Sequence, residues 1–232
     1  MEPIKFNREI AHLALLQRIE LADPFLKKIR KRLGRYLFSN VFSKFFINPE
    51  KLSKKYYELF LSEYNSLKNF FKDNQNILTI GGGIGGLELL IMKNFKKTKI
   101  DLIEKNYISN KIKYGWDNDN VEAYNKLSTI EDFFKINGVD SLNFKTYDFD
   151  KNIFPEKKYD LIISLYSLDY HYDFNLYQNF LNKVSNQNSK IIFDTIRPDY
   201  FNTLFDSVEI LKEGNSTIHK SKRIICSNFK KW

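Results

Sequence analysis

The run Ile77-Leu78-Thr79-Ile80-Gly81-Gly82-Gly83-Ile84-Gly85-Gly86-Leu87 constrains the fold more than any other stretch of this chain. Its first four residues are apolar or β-branched and read as a buried strand. Five glycines in six positions follow. They let the backbone turn sharply and approach a ligand with no Cβ in the way. Leu87-Glu88-Leu89-Leu90-Ile91-Met92 then reads as a helix. Strand, glycine turn and helix N-terminus form a nucleotide-type site. Gly81, Gly83 and Gly86 satisfy G-x-G-x-x-G, the dinucleotide fingerprint. A second strand, Lys99-Ile100-Asp101-Leu102-Ile103-Glu104, ends in an acid about 20 residues after the glycines. An acid at that place accepts hydrogen bonds from ribose hydroxyls.

From residue 76 onward strand-like and helix-like segments alternate, as a parallel α/β sheet requires. The predicted strands are 77–80, 99–104, 143–147, 159–165 and 189–195. Two more, 207–212 and 217–228, flank Glu213-Gly214-Asn215-Ser216, whose Gly-Asn pair reads as a tight hairpin. The expected architecture is a doubly wound, mostly parallel seven-stranded sheet with its last strand antiparallel. Ahead of it the helical pattern runs over residues 7–36, with Ile10, Leu13, Leu16 and Ile19 at spacings of three. Asp23-Pro24 reads as an N-cap and first turn. Residues 51–72 form a further helix with Tyr56, Leu59, Phe60, Tyr64, Leu67 and Phe71 on one face. That stripe reads first as a packing face, and it suits either a cap over the site or a homodimer interface. The chain therefore divides into an N-terminal helical extension, 1–74, and an α/β domain, 75–232.

Charge is uneven. The chain carries a net +9, and residues 1–75 hold +7 of it, 15 Lys and Arg against 8 Asp and Glu. The focus is Lys27-Lys28-Ile29-Arg30-Lys31-Arg32-Leu33-Gly34-Arg35, six basic residues in nine. Such a run is either a solvated helix face or a patch for phosphates of a nucleotide-linked substrate, of nucleic acid or of an anionic membrane surface. No apolar run reaches the length of a transmembrane helix, and the first residues lack a signal-peptide pattern, so a cytoplasmic protein is expected. A single cysteine, Cys226, excludes an internal disulfide and a cysteine-based zinc site.

Gly81, Gly83 and Gly85 also satisfy G-x-G-x-G, and other landmarks follow in order. They are Glu104, then Thr146-Tyr147-Asp148-Phe149, then Tyr159-Asp160-Leu161-Ile162-Ile163-Ser164. With the terminal hairpin, they make residues 75–232 resemble the class I S-adenosylmethionine (SAM) dependent methyltransferases. The resemblance implies SAM as cofactor and S-adenosylhomocysteine as product. It implies that Gly81, Gly82, Gly83 and Gly85 form the cofactor loop and that Glu104 holds the ribose. It further implies that Asp148 meets the adenine amino group, that Phe149 flanks the ring, and that Ser164 and Leu165 lie beside the methionine part. The family's acid two residues before the first glycine, which helps hold the SAM ammonium, is replaced here by Thr79. A water or backbone carbonyls would then serve in its place.

Two stretches are more specialised. One contains Tyr114 and Trp116, followed by Tyr124 and Asn125; the other runs from Ser164 to Tyr172. They resemble small-molecule methyltransferases encoded with bacterial surface-polysaccharide (capsule) genes. That resemblance implies a small-molecule acceptor: a sugar, a nucleotide-linked sugar or a capsule phosphoramidate. Glu104 and Asp148 lie 44 residues apart, more than one helix and loop need, so the extra segment is expected to form a lid.

A hydroxyl acceptor needs a base, and the loop after the fourth strand is where it should sit. His171 is the first candidate, since an ordinary imidazole is available as a neutral base near pH 7. Asp169 is the second, as direct base or as a group orienting His171. Tyr170 and Tyr172 would shape the acceptor pocket with Tyr114, Trp116, Tyr124 and Asn125. Arg197 would bind an acceptor phosphate or carboxylate, or pair with an acid such as Asp199. The Asn- or Asp-Pro-Pro-aromatic tetrad of base-amino methyltransferases is absent, Ser164-Leu165-Tyr166-Ser167 standing in its place, so a nucleic-acid acceptor is disfavoured. A metal site from Asp169 and Asp194 is poorly supported, and no metal is expected. The alternatives are an RNA-directed methyltransferase docking through its basic N-terminus and a non-catalytic SAM-binding protein.

Overall fold

The computed structural model describes residues 3–38, 43–109, 123–151, 154–170, 172–213 and 221–230. Seven strands form one sheet: β1 (Asn76–Ile80), β2 (Lys99–Glu104), β3 (Phe144–Asp148), β4 (Leu161–Ser164), β5 (Lys190–Thr195), β6 (Phe205–Lys212) and β7 (Lys222–Phe229). Their order is β3-β2-β1-β4-β5-β7-β6. The first five are mutually parallel, and β7 runs antiparallel to both of its neighbours. The expected seven-stranded sheet is the observed one. The predicted fourth strand, 159–165, is longer than β4. At its near end the Tyr159 N–H already bonds Val184, and just past its far end Tyr166 turns into the left-handed region at φ 57°. The Gly214-Asn215 turn lies outside the described residues.

Among the described residues seven α-helices accompany the sheet: α1 (Arg8–Gln17), α2 (Pro24–Leu37), α3 (Ser43–Phe46), α4 (Pro49–Leu67), α5 (Gly86–Asn94), α6 (Leu127–Ile136) and α7 (Gln178–Val184). Asn7 caps α1, and Asp23 caps α2 through the Leu26 N–H at 2.9 Å. From Gly86 to Met92, α5 is buried on every side. A helix this apolar needs cover on two faces. The sheet supplies one and α4 the other, through the stripe read from sequence: Tyr56, Phe60, Leu67 and Phe71 are buried, with Leu59 and Tyr64 packed beside them. Gly86 permits the approach, since a Cβ there would lie 2.5 Å from the Phe60 ring and 2.6 Å from the Tyr56 ring. The aromatic stripe thus packs within the chain, and the helices of the extension share one core with β1, β2 and α5.

Candidate functional site

The glycine turn at the C-terminal tip of β1 is built from three left-handed glycines, Gly81, Gly83 and Gly85, at φ 71°, 66° and 90°. Only glycine adopts that conformation without strain. The Gly81 N–H extends the β1–β2 ladder to Ile103 O at 3.1 Å. A Cβ on Gly81 would lie 2.1 Å from Ser167 Oγ, so the loop after β4 passes directly over the turn. Ser164 is fully buried and ties these two segments together. Its hydroxyl donates to Ile80 O at 2.7 Å and accepts from the Leu168 N–H at 2.9 Å. Leu165 is buried beside it.

The turn is also held from two distant places. Gln17, at the end of α1, accepts from the Ile84 N–H at 3.1 Å and donates to Tyr124 O at 2.7 Å. Asn125 donates to Gly83 O at 2.8 Å and is almost wholly buried. Asn125, expected to line the acceptor pocket, therefore braces the glycine turn, and Tyr124 contributes its carbonyl to the same brace. Sequence reasoning missed Gln17, because its partners are 67 and 107 residues away.

Two acids converge on the turn. Glu104, at the tip of β2, accepts from the Gly83 N–H. Burial pushes its carboxyl up to about 8, against the pull of the Gly83 N–H and Asn125 and with a further push from Glu88. Glu88 stands in the first turn of α5 and is 1% exposed. Burial pushes it up to about 7, only partly offset by its own backbone N–H and the nearby Thr79 hydroxyl, which stands too loosely to count as a hydrogen bond. A Cβ on Gly82 would lie 2.8 Å from Glu88 Oε1 and 2.8 Å from Thr79 Cγ2, so this acid reaches the place where Thr79 stands. Among the described residues, Glu88 Oε2, Thr79 Oγ1 and Tyr56 Oη are buried without a hydrogen-bond partner. Native structures leave few such atoms. Among the described residues no cation meets these two acids, and burial holds both toward their protonated forms.

At the tip of β3, Asp148 accepts from the Asp150 N–H at 3.1 Å and lies 3.8 Å from Lys151. Phe149 packs against Tyr177 and Phe154, with ring centroids 5.4 and 5.8 Å away. The Lys105 ammonium stands 5.5 Å from the rings of both Phe149 and Tyr172. Lys105 thus brings the Phe149 and Tyr172 rings together beside the tip of β2. Lys105, next to Glu104 in the chain, was missed because a lone lysine after a strand carries no signal.

The loop after β4 departs from expectation. Asp169 is fully buried, takes φ 56°, and accepts from Thr195 Oγ1 and from Arg197 Nε at 3.1 Å. Arg197 also bonds Asp173 at 3.0 Å and lies 4.5 Å over the Tyr200 ring. These acids, and not Asp199, are its partners, and they hold the guanidinium well inside its charged range. Asp169 is accordingly an anchor that fixes this loop, not an open base. Tyr170 packs edge-on against Tyr166 at 5.9 Å. Asp194, considered with Asp169 as a metal pair, is bound instead by Arg223 through Nε at 3.0 Å and Nη2 at 3.1 Å. His171, Tyr114 and Trp116 lie outside the described residues.

No family model matches the chain, and no curated protein matches it in sequence. Solved structures do match by shape. A protein from Nostoc punctiforme described as an O-methyltransferase superposes with TM-score 0.52 at 10% identity, over 96% of this chain and 71% of that one. A tRNA (m1A58) methyltransferase from Aquifex aeolicus gives 0.49 at 14% identity, over 75% and 69%. A SAM-dependent methyltransferase from Thiobacillus denitrificans in complex with S-adenosylhomocysteine gives 0.42 at 11%, over 59% and 47%. The strand order, the antiparallel β7 and the first of these likenesses define the fold as that of the SAM-dependent methyltransferases.

Proposed function

We propose that this chain is a SAM-dependent methyltransferase that acts on an oxygen of a small, anionic or carbohydrate-type acceptor, such as a capsule sugar or its phosphoramidate. The observation that carries the cofactor assignment is the pair of buried acids at the glycine turn, Glu104 and Glu88, with no cation between them. Both fit SAM. Glu104, at the β2 tip, has the acceptor oxygens for two ribose hydroxyls. Glu88, with its unpartnered Oε2, suits the ammonium of the methionine part and replaces the acid that Thr79 lacks. Asp148 and Phe149 suit the adenine edge and face. SAM supplies a methyl group on a sulfonium, an electrophile that a deprotonated oxygen attacks in line.

The protein's part is to align the acceptor and take its proton. His171 is the proposed base. Asp169 and Arg197 act as positioning residues, because Arg197 ties Asp169 to Asp173. The fourth-strand loop is pressed onto the glycine turn through Ser167, which favours a short path between base and cofactor.

Calorimetric titration with S-adenosylhomocysteine, with NADH in parallel, tests the cofactor. Micromolar binding of the former alone is the expected result, and binding of NADH alone ends the proposal. Glu88→Gln should weaken S-adenosylhomocysteine about tenfold, the loss of one charge-assisted hydrogen bond. It should leave 5′-methylthioadenosine, which lacks the ammonium, unchanged. Equal weakening of both would reduce Glu88 to a packing role. His171→Ala should abolish turnover on sugar acceptors while cofactor affinity stays near wild type. Undiminished turnover removes it as the base.

A further inference from the structure

The basic run of the extension is unused by the reading above, and the structure shows how it is presented. Helix α2 is held at both ends. Asp23 caps its start, and Phe38, just past its end, is buried at 1% exposure. Gly34, at φ 76°, breaks the helix and turns the chain back toward that anchor. Between the anchors, Phe25, Ile29, Leu33 and Leu26 share one face at helical spacing, and the basic residues occupy the rest. Leu26 and Ile29 pack on the core, but Phe25 is 67% exposed and Leu33 42%. Lys27, Lys28, Lys31 and Arg32 are exposed around them. Among the described residues none of these four cations forms an ion pair.

Exposed apolar residues gather in the same stretch. Leu37, Phe45 and Phe46 are 50%, 64% and 67% exposed, so among the described residues five of the eleven large exposed hydrophobics fall within residues 25–46. A soluble surface has no use for such a concentration. Phosphates alone would call for the cations but not for the leucines. An apolar stripe flanked by lysine and arginine is the make-up of a helix that lies in the interface of a bilayer. No helix among the described residues is long and apolar enough to cross a membrane.

We infer that α2 docks this protein on the surface of an anionic phospholipid membrane. Phe25 and Leu33 enter the headgroup boundary, and the lysines and arginines meet the lipid phosphates. The inference is independent of the methyltransferase reading.

Co-sedimentation of the full chain with vesicles tests it. The protein should pellet with phosphatidylcholine vesicles containing phosphatidylglycerol and stay in solution with phosphatidylcholine alone. Phe25→Ser with Leu33→Ser, and separately Lys27→Glu with Lys31→Glu, should each weaken binding about tenfold or more. Both variants alter exposed side chains, and an unchanged circular dichroism spectrum checks their fold. Three results would overturn the inference. One is no pelleting with either vesicle. Another is binding of single-stranded RNA that the charge variant abolishes and the apolar variant spares, which gives the patch to nucleic acid. The last is a dimer in solution that Phe25→Ser with Leu33→Ser dissociates, which gives it to a second copy of the chain.

Discussion

Two sets of buried acids border the C-terminal edge of the sheet, and the protein treats them in opposite ways. Glu63 of α4 and Asp194 of β5 share the guanidinium of Arg223, itself 1% exposed. Burial alone would raise both carboxyls; Arg223 outweighs it at Glu63, which lies below its ordinary value, but only partly offsets it at the deeper Asp194, which stays raised. Tyr166 completes this set, donating from its hydroxyl to Glu63 at 3.2 Å and from its N–H to Asp194 at 3.1 Å. Glu88 is as buried and Glu104 half-buried, neither meets such a cation among the described residues, and burial raises both. A fold that needed these two acids only for itself would pair them as it pairs the others. The paired set locks α4 to the far strands of the sheet. The unpaired set leaves a charge for something else to neutralise.

The largest effect expected from this contrast is at Arg223. Arg223→Met keeps the volume and removes the charge, leaving two buried acids uncompensated. Urea unfolding should show a loss of about 3–5 kcal/mol. A loss below about 1 kcal/mol would mean that the cluster is hydrated and that the two acid sets are alike.

At Glu88 the sign reverses. Its folded carboxyl titrates near 7 against an ordinary value of 4.5, so between these the folded state holds a proton that the unfolded chain has lost. Stability is then fully present below the unfolded value and falls as pH rises through the folded one, and Glu104 adds a fall of the same sign. Glu88→Gln removes the penalty. It should stabilise the protein by about 3 kcal/mol near pH 8.5 and by about 1 kcal/mol or less near pH 5. Thermal unfolding at the two pH values measures it. A variant that is more stable at high pH yet binds S-adenosylhomocysteine less well would mark Glu88 as kept at a cost to the fold. Destabilisation at both pH values would place Glu88 with the structural acids.

How far these sets were legible in the sequence follows from distance along the chain. The strand–glycine–helix run and the alternation after residue 76 are local, and they foretold the sheet. Glu104 was legible because its spacing from the glycines is fixed by one helix and one strand. The paired set was not, since Glu63 and Arg223 are 160 residues apart and only the packing of α4 brings them together. Glu88 lay in plain view, inside the run read as the helix after the glycines, and the sequence reading drew no role from it. The signal that could have found it was Thr79, because a missing charge on β1 asks for an acid one turn into the next helix. Asp169, read as a second-choice base or as a group orienting His171, hid its ion pair for a similar reason. Its partner Arg197 comes 28 residues later, and nothing in the loop's own sequence announces the ion pair.

The smallest effect belongs to a third kind of acid, one in water. Glu9 of α1 meets Lys126, just before α6, at 2.9 Å with both side chains about half exposed. It also accepts from Thr129 at 3.1 Å. Its carboxyl is lowered, chiefly by the Lys126 hydrogen bond, against a smaller push from burial. Solvent screens this pair in a way it cannot screen Arg223. Lys126→Met should therefore cost about 0.5 kcal/mol or less, and that cost should vanish in molar salt, while the Arg223 effect persists. A cost approaching that of Arg223→Met would mean that the α1–α6 contact is drier than its exposure indicates. Burial would then no longer be the variable that separates the acids that hold this fold together from those left unpaired at the glycine turn.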